Sequence, residues 1–71
     1  MMTFVELWKA APQHVRSRIV SDIAVKGVAL STAYAYCNGT RTPMLLMKEH
    51  IQKLVKIHFK IKAPIEELFP S

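Results

Sequence analysis

The chain has few of the features that mark a secreted or membrane-embedded protein. Cys37 is the only cysteine among 71 residues, which excludes an intramolecular disulfide and suits a reducing cytosol. No stretch reaches the roughly 18 charge-free apolar residues that a membrane helix needs. The N-terminus has no basic region followed by an apolar one, as a signal peptide would. We therefore expect a cytoplasmic protein with no membrane partner.

Acidic residues are also scarce, and the chain is short. Five Asp and Glu stand against ten Lys and Arg, so the net charge at pH 7 is +5. That surplus indicates a polyanionic partner but does not bear on the fold. The length allows one small domain, over residues 1–71, and a domain of this size hides only about 60% of the surface that its unfolded chain exposes. A large enzyme fold with a deep cleft is excluded.

The first two helices are marked by their ends. Thr3 followed by Glu6 is a capping box, which predicts a first helix over 4–10. A second helix over 13–26 ends at Gly27, which tolerates the left-handed conformation. Helical spacing predicts that these two helices share an apolar inner face. The residues expected on it are Phe4, Leu7, Trp8, Ala11, Val15, Ile19, Val20 and Ile23.

Two further helices follow from cap residues. Ser31 as N-cap predicts a third helix over 32–37, which Asn38-Gly39 ends. Thr42 as N-cap, with a proline in the first helical position, predicts a fourth helix over about 43–58. Its apolar stripe is expected to consist of Met47, Ile51, Leu54, Val55 and His58.

The C-terminal part leaves two questions open. A brief alternation of apolar and basic residues over 56–62 leaves a short strand possible, whereas Pro64 can open one turn of helix. The segment 61–71 carries more apolar residues than a frayed terminus needs, so it either folds back on the core or meets a second subunit. The pattern as a whole predicts an all-α fold, a compact bundle of four to five short helices.

The segment 27–43 carries the functional signal. Nine of its residues stand at the spacing of a known motif: Gly27, Val28, Ser31, Thr32, Ala33, Tyr36, Gly39, Arg41 and Pro43. In these positions the chain resembles the helix-turn-helix of the lambda-repressor/Cro-like family. The resemblance covers about 19–54 and implies a central helix-turn-helix over about 13–38. It also implies a small transcriptional regulator, of phage or bacterial type, that reads double-stranded DNA in the major groove.

The turn between the second and third helices allows two registers. Lys26 stands where the family usually has an apolar residue, and Ile23 where it usually has a small one. Ala24 fits the small position if the turn is one residue shorter. In the first register Ala33 and Tyr36 point inward, and in the second Tyr34 or Cys37 does so instead.

The third helix offers small and polar side chains that would let its backbone approach base edges. Asn38 can pair with adenine, and Ala35 or the methyl group of Thr32 can touch a thymine methyl. Tyr34 can stack or contact a phosphate, and Arg41 can reach a phosphate or a guanine. The full set expected at the DNA is Arg16, Arg18, Lys26, Leu30, Ser31, Thr32, Tyr34, Ala35, Asn38, Thr40, Arg41, Thr42 and Lys48.

Other classes of function have weaker support. The spacing of His14, His50 and His58 fits no zinc site, and Cys37 has no neighbouring base to activate it. We therefore expect no metal, cofactor, small-molecule substrate or catalysis. A homodimer is possible, because operator binders of this kind usually pair on two-fold sites. The alternative function is a protein-interaction adaptor or antitoxin-like module on the same fold, because 32–37 carries no Lys or Arg.

Overall fold

The fold consists of five α-helices and the turns that join them. The structure is a computed structural model that describes residues 2–70. The ends of the predicted domain, Met1 and Ser71, lie outside the described residues. Along the chain the helices are α1 (Phe4–Ala10), α2 (Gln13–Ala24), α3 (Leu30–Asn38), α4 (Leu45–Phe59) and α5 (Ile65–Leu68). Residues 2–70 contain no strand, so the all-α prediction is confirmed.

The helices enclose one apolar core within dimensions of 28 × 25 × 19 Å. The apolar face predicted for α1 is confirmed, because all four of its residues are at most 8% exposed. α2 buries three of the four side chains predicted for it, and Val15 packs at the edge of the core. α4 buries Ile51, Leu54 and Val55, while Met47 and His58 on the same stripe are half-buried. Apolar periodicity thus identified most of the core, which also contains Ala33, Cys37, Ala63 and Leu68.

The boundaries predicted for α2 and α3 need correction. α2 ends at Ala24 rather than at residue 26, and the chain then turns to Gly27, which has a φ of 98°. α3 begins at Leu30 rather than at residue 32, so Ser31 lies inside the helix and is not its N-cap. Extended Ala29 takes the N-cap position, since its carbonyl oxygen accepts the first helical hydrogen bond, from the Ala33 N–H at 3.0 Å.

The start predicted for α4 is also wrong. The helix begins at Leu45, with Met44 as N-cap, so neither Thr42 nor buried Pro43 belongs to its first turn. The Lys48 N–H donates to the Met44 carbonyl oxygen at 2.9 Å, which sets the first turn there. At the other end, α4 runs through Phe59, and left-handed Lys60 (φ 59°) ends it. The possible strand over 56–62 is therefore excluded, because its first half continues the helix.

The C-terminal segment folds back over the core. After α4, Gln52 Nε2 donates to the Ala63 carbonyl oxygen at 2.8 Å and holds the returning chain. The predicted turn of helix after Pro64 is confirmed as α5, whose Leu68 is 1% exposed. The Phe69 ring lies 5.7 Å from that of Phe4, centroid to centroid. Of the two alternatives for 61–71, the structure shows the first over 61–70, and Ser71 lies outside the described residues.

Two histidines of α4 join it to α2 through Asp22. His58 Nε2 lies 3.1 Å from Asp22 Oδ2, and His50 Nε2 lies 3.0 Å from the Asp22 carbonyl oxygen. His58 is thus a partnered, half-buried histidine. In the part of the chain that the structure describes, no helix is long and apolar enough to cross a membrane.

Candidate nucleic-acid interface

α3 is held in place by small inward side chains. Ala33 and Cys37 are fully buried, and Tyr36 is half-buried against the same core. These positions are four and three residues apart, so they share one helix face. The structure therefore combines the two registers left open by the sequence: Ala33 points inward as in the first, and Cys37 as in the second. Tyr34 is 44% exposed and points outward.

Burial makes Cys37 a structural thiol. The surrounding apolar side chains raise the pKa of Cys37 to about 12, because a thiolate would lose its hydration there. The group is thus neutral near pH 7 and fills the space between α3 and the core. Among residues 2–70, no group of three His, Cys, Asp or Glu side chains is placed to hold a metal ion.

The outer face of α3 is neutral and partly apolar. Leu30 is 59% exposed and Tyr34 44%, and Asn38 follows four residues later on the same stripe. Ser31 is exposed beside them, whereas Thr32 and Ala35 are half-buried at the edges. α3 carries no charged side chain, so any attraction to a polyanion must come from neighbouring elements.

One cation is fixed next to this face by an aromatic ring. The Arg16 guanidinium lies 5.7 Å from the centroid of the Trp8 ring, and the same ring meets Tyr34 edge-on at 6.4 Å. Trp8 Nε1 donates to the Arg16 carbonyl oxygen at 3.2 Å, and Arg16 Nη2 donates to Gln13 Oε1 at 2.9 Å. The ring of Trp8 thereby connects α1, α2 and α3 and holds the positive charge of Arg16 against itself.

The loop after α3 is held to the end of that helix by hydrogen bonds to a single carbonyl oxygen, that of Ala35. Gly39 adopts a φ of 82°, and its N–H donates to the Ala35 carbonyl oxygen. The N–H groups of Thr40 and Arg41 point to the same oxygen at 3.1 and 3.3 Å, and the Thr40 hydroxyl donates to it at 3.3 Å. Arg41 and Thr42 are exposed, and both line a cleft of about 210 Å³ that reaches α5.

The remaining basic candidates are dispersed. Arg18 and Lys26 are exposed on and just after α2, and Lys26 lines a groove that it shares with α4. The Lys48 ammonium lies 5.8 Å from the centroid of the Phe69 ring, so it is partly engaged with the C-terminal segment. The structure thus places Arg16 and Tyr34 against the same ring, that of Trp8, but it does not gather Lys26 and Lys48 at the same place.

Sequence reasoning missed two features of this surface. Trp8 was correctly expected in the core, but its second role, positioning Arg16, follows only from the contact between α1 and α2. The exposed apolar start of α4 was missed as well: Met44 is 83% exposed, Leu45 61% and Leu46 81%. A signal was present, because consecutive helix residues are about 100° apart and three in a row cannot all face the core.

Comparison with known proteins adds no assignment: the chain matches no family model, no curated protein and no solved structure.

Proposed function

We propose that this protein binds double-stranded DNA in a sequence-specific manner, with α2, the turn 25–29 and α3 acting as a helix-turn-helix. In this proposal α3 enters the major groove and reads base edges with its outer face. The protein then acts as a small transcriptional regulator of phage or bacterial type. It needs no cofactor and carries out no catalysis.

The observation that carries the proposal is the outer face of α3. Its exposed side chains are uncharged, and a short helix with such a face can approach base edges closely. Asn38 offers both an amide donor and an acceptor, the pair that adenine requires. Leu30 and the half-buried Ala35 offer apolar contact for a thymine methyl group. Leu30, Ser31 and Asn38 on this face are exposed, and Tyr34, whose ring meets Trp8 of α1 edge-on, is 44% exposed.

Phosphate contacts would come from the elements around α3. Arg16 is held against the ring of Trp8, and Arg41 is exposed directly after the helix. The first turns of α2 and α3 have no side-chain cap, so their free N–H groups remain available to phosphate oxygens. Such contacts position a protein on the duplex, and the net charge of +5 contributes the part of the affinity that does not depend on sequence.

The test is selection of bound duplexes from a random DNA pool at about physiological salt. An enriched motif is expected for the unaltered chain. Asn38→Ala should weaken discrimination at one base pair by about 1–3 kcal/mol. Ser31→Ala should alter the selected motif, whereas Ser21→Ala, the same change at an exposed position of α2, should leave it unchanged.

A salt series separates phosphate contacts from base contacts. Arg41→Ala should weaken binding to all sequences and reduce the slope of log affinity against log salt by about one unit. Lys56→Ala removes the same charge from an exposed position on α4, which packs against α2 and α5, and should have a smaller effect. Equal effects of the two variants would argue against a contact by Arg41.

The second candidate is a protein-interaction adaptor or antitoxin-like module. The observation that favours it is the absence of Lys and Arg from α3. No enriched motif, together with weak salt-sensitive binding to every duplex, would refute specific DNA recognition and favour this alternative.

A further inference from the structure

The start of α4 carries an apolar projection that no other part of residues 2–70 covers. We call Met44, Leu45 and Leu46, which are 61–83% exposed, the α4 projection. The apolar stripe of α4 that serves the core begins further on, with Ile51 fully buried. Single exposed apolar residues are normal on a protein surface, but monomers rarely expose a contiguous apolar patch of more than a few hundred Å². Three adjacent side chains therefore require an explanation.

An apolar groove lies directly beside the projection. It has a volume of about 570 Å³, and the half-buried side chains of Val28, Tyr36 and Met47 line it. Met44 and Leu46 line it as well, so these two side chains of the projection share a face with the groove. Methionine side chains adapt to irregular apolar partners, which suits a groove that must accept another surface.

The rim of the groove carries charges of both signs. Lys26, Glu49 and Lys53 all line it, and all three are exposed. None of them takes part in an ion pair within the described residues, where the one pair formed joins His58 and Asp22. A nucleic acid would meet Glu49 as well as the two lysines, so a partner with charges of one sign would match only part of this rim.

We propose that this face is a contact between two copies of the chain, in which the α4 projection of each copy packs into the groove of the other. A two-fold contact must use the same patch on both subunits. A projection next to a groove meets that condition, since one rotation inserts both projections at once. The rim is self-complementary in the same sense, because the rotation brings Glu49 of one copy towards the lysines of the other.

This proposal assigns the possible homodimer to the start of α4 and not to the C-terminal segment. It does not rest on the proposed DNA binding, and its test contains no DNA. Failure of the dimer would leave DNA recognition by a monomer untouched. Failure of DNA recognition would leave the dimer standing.

The test is sedimentation equilibrium over a range from about 1 to 500 µM, since dimer formation depends on protein concentration. The mass of the unaltered chain should rise from that of a monomer towards twice that value. Leu46→Glu should raise the dissociation constant at least about tenfold, because a carboxylate would enter an apolar contact. Ile57→Glu is the matched control: Ile57 is 64% exposed on the same helix, and the dissociation constant should not change.

A charge exchange tests the two-fold arrangement itself. Glu49→Lys should weaken self-association, and so should Lys53→Glu together with Lys26→Glu. Mixing the two variants should restore association as a heterodimer. Circular dichroism should show unaltered helix content in each variant, because all the substituted side chains are exposed.

Three results would overturn the proposal. The first is a monomer at every concentration. The second is a dimer that Leu46→Glu leaves intact while Ile61→Glu, in the C-terminal segment, disrupts it. The third is a mixture of the charge variants that associates no better than either variant alone.

Discussion

Gly39 lies at the end of α3, next to Val5 of α1. Its φ of 82° is in the left-handed region, which costs any residue with a side chain about 1–2 kcal/mol. A Cβ atom added there would also stand 3.2 Å from Val5 Cγ2. Gly39 therefore does two things: it ends α3, and it lets α1 approach the loop that presents Thr40 and Arg41.

Comparing substitutions at Gly39 and Gly27 should separate backbone strain from the contact with Val5. Gly39→Ala should lower the free energy of unfolding by about 1–2 kcal/mol from backbone strain, plus the cost of displacing Val5. Gly27→Ala is the matched control, because Gly27 has a φ of 98° but no atom within 4 Å of an added Cβ. Urea denaturation of both variants measures the difference, and equal losses would show that the Val5 contact costs nothing.

At the scale of the element, α1 shows how a very short helix is fixed at its start. Its seven residues are too few to form a stable isolated helix in water. The Thr3 N–H donates to Glu6 Oε1 at 2.8 Å, and the Glu6 N–H donates to Thr3 Oγ1 at 3.2 Å. The donation from the Thr3 N–H is the main reason why the pKa of Glu6 lies below its ordinary value.

Removing this capping box should destabilise the protein in a pH-dependent way. Thr3→Ala should lower the free energy of unfolding by about 1 kcal/mol at pH 7. Thr3→Ser should retain most of this contribution, because serine is also a good N-cap residue. Because the pKa of Glu6 is lowered from 4.5, the contribution of its carboxylate is complete above that pH and is lost as the pH falls below it. The loss caused by Glu6→Ala, measured by thermal unfolding, should therefore shrink in acid. A loss that stays constant from pH 7 to about pH 3 would contradict a role for the charged carboxylate.

The starts of α3 and α4 are the places where cap residues gave a wrong prediction. Ser31 and Thr42 are good cap residues, yet α3 starts from Ala29 and α4 from Met44, neither with a side-chain cap. Cap preferences contribute about 1 kcal/mol, and burying a large apolar side chain contributes more. A cap preference of this size is therefore too small to fix the start of a helix by itself.

At the scale of the whole molecule, the C-terminal segment closes the core. Leu68 is 1% exposed although it belongs to a helix of only four residues. The Phe69 ring lies tilted against that of Phe4 and also under the Lys48 ammonium. The last described residues therefore hold α1 and α4 together, and they belong to the core of the subunit.

Leu68→Ala should accordingly behave as a core substitution, with a loss of about 2–5 kcal/mol in the free energy of unfolding. Ile61→Ala is the control, since Ile61 is 39% exposed in the same segment. It should lower the free energy of unfolding much less than Leu68→Ala does. Chemical denaturation measures both. A small loss at Leu68 would mean that the segment is not part of the cooperative core.

The sequence by itself determined the class of fold, the first helix and most of the core. These depend on local chemistry: the Thr3–Glu6 capping box acts over one turn, and apolar side chains at helical spacing define a buried face wherever a helix forms. The net charge and the pattern over 27–43 raised the hypothesis of DNA binding and named the outer residues of α3. They could not show how the basic residues are grouped.

Only the tertiary structure decided the register of α3, the return of the C-terminal segment and the surfaces that stay exposed. Each depends on contacts between residues far apart in sequence, such as Trp8 with Tyr34 or Phe4 with Phe69. The energy of such contacts exceeds the preference of a single cap or turn residue, so they override local signals. The exposure of Met44, Leu45 and Leu46 has the same cause. It depends on which side of α4 packs against α2 and α5.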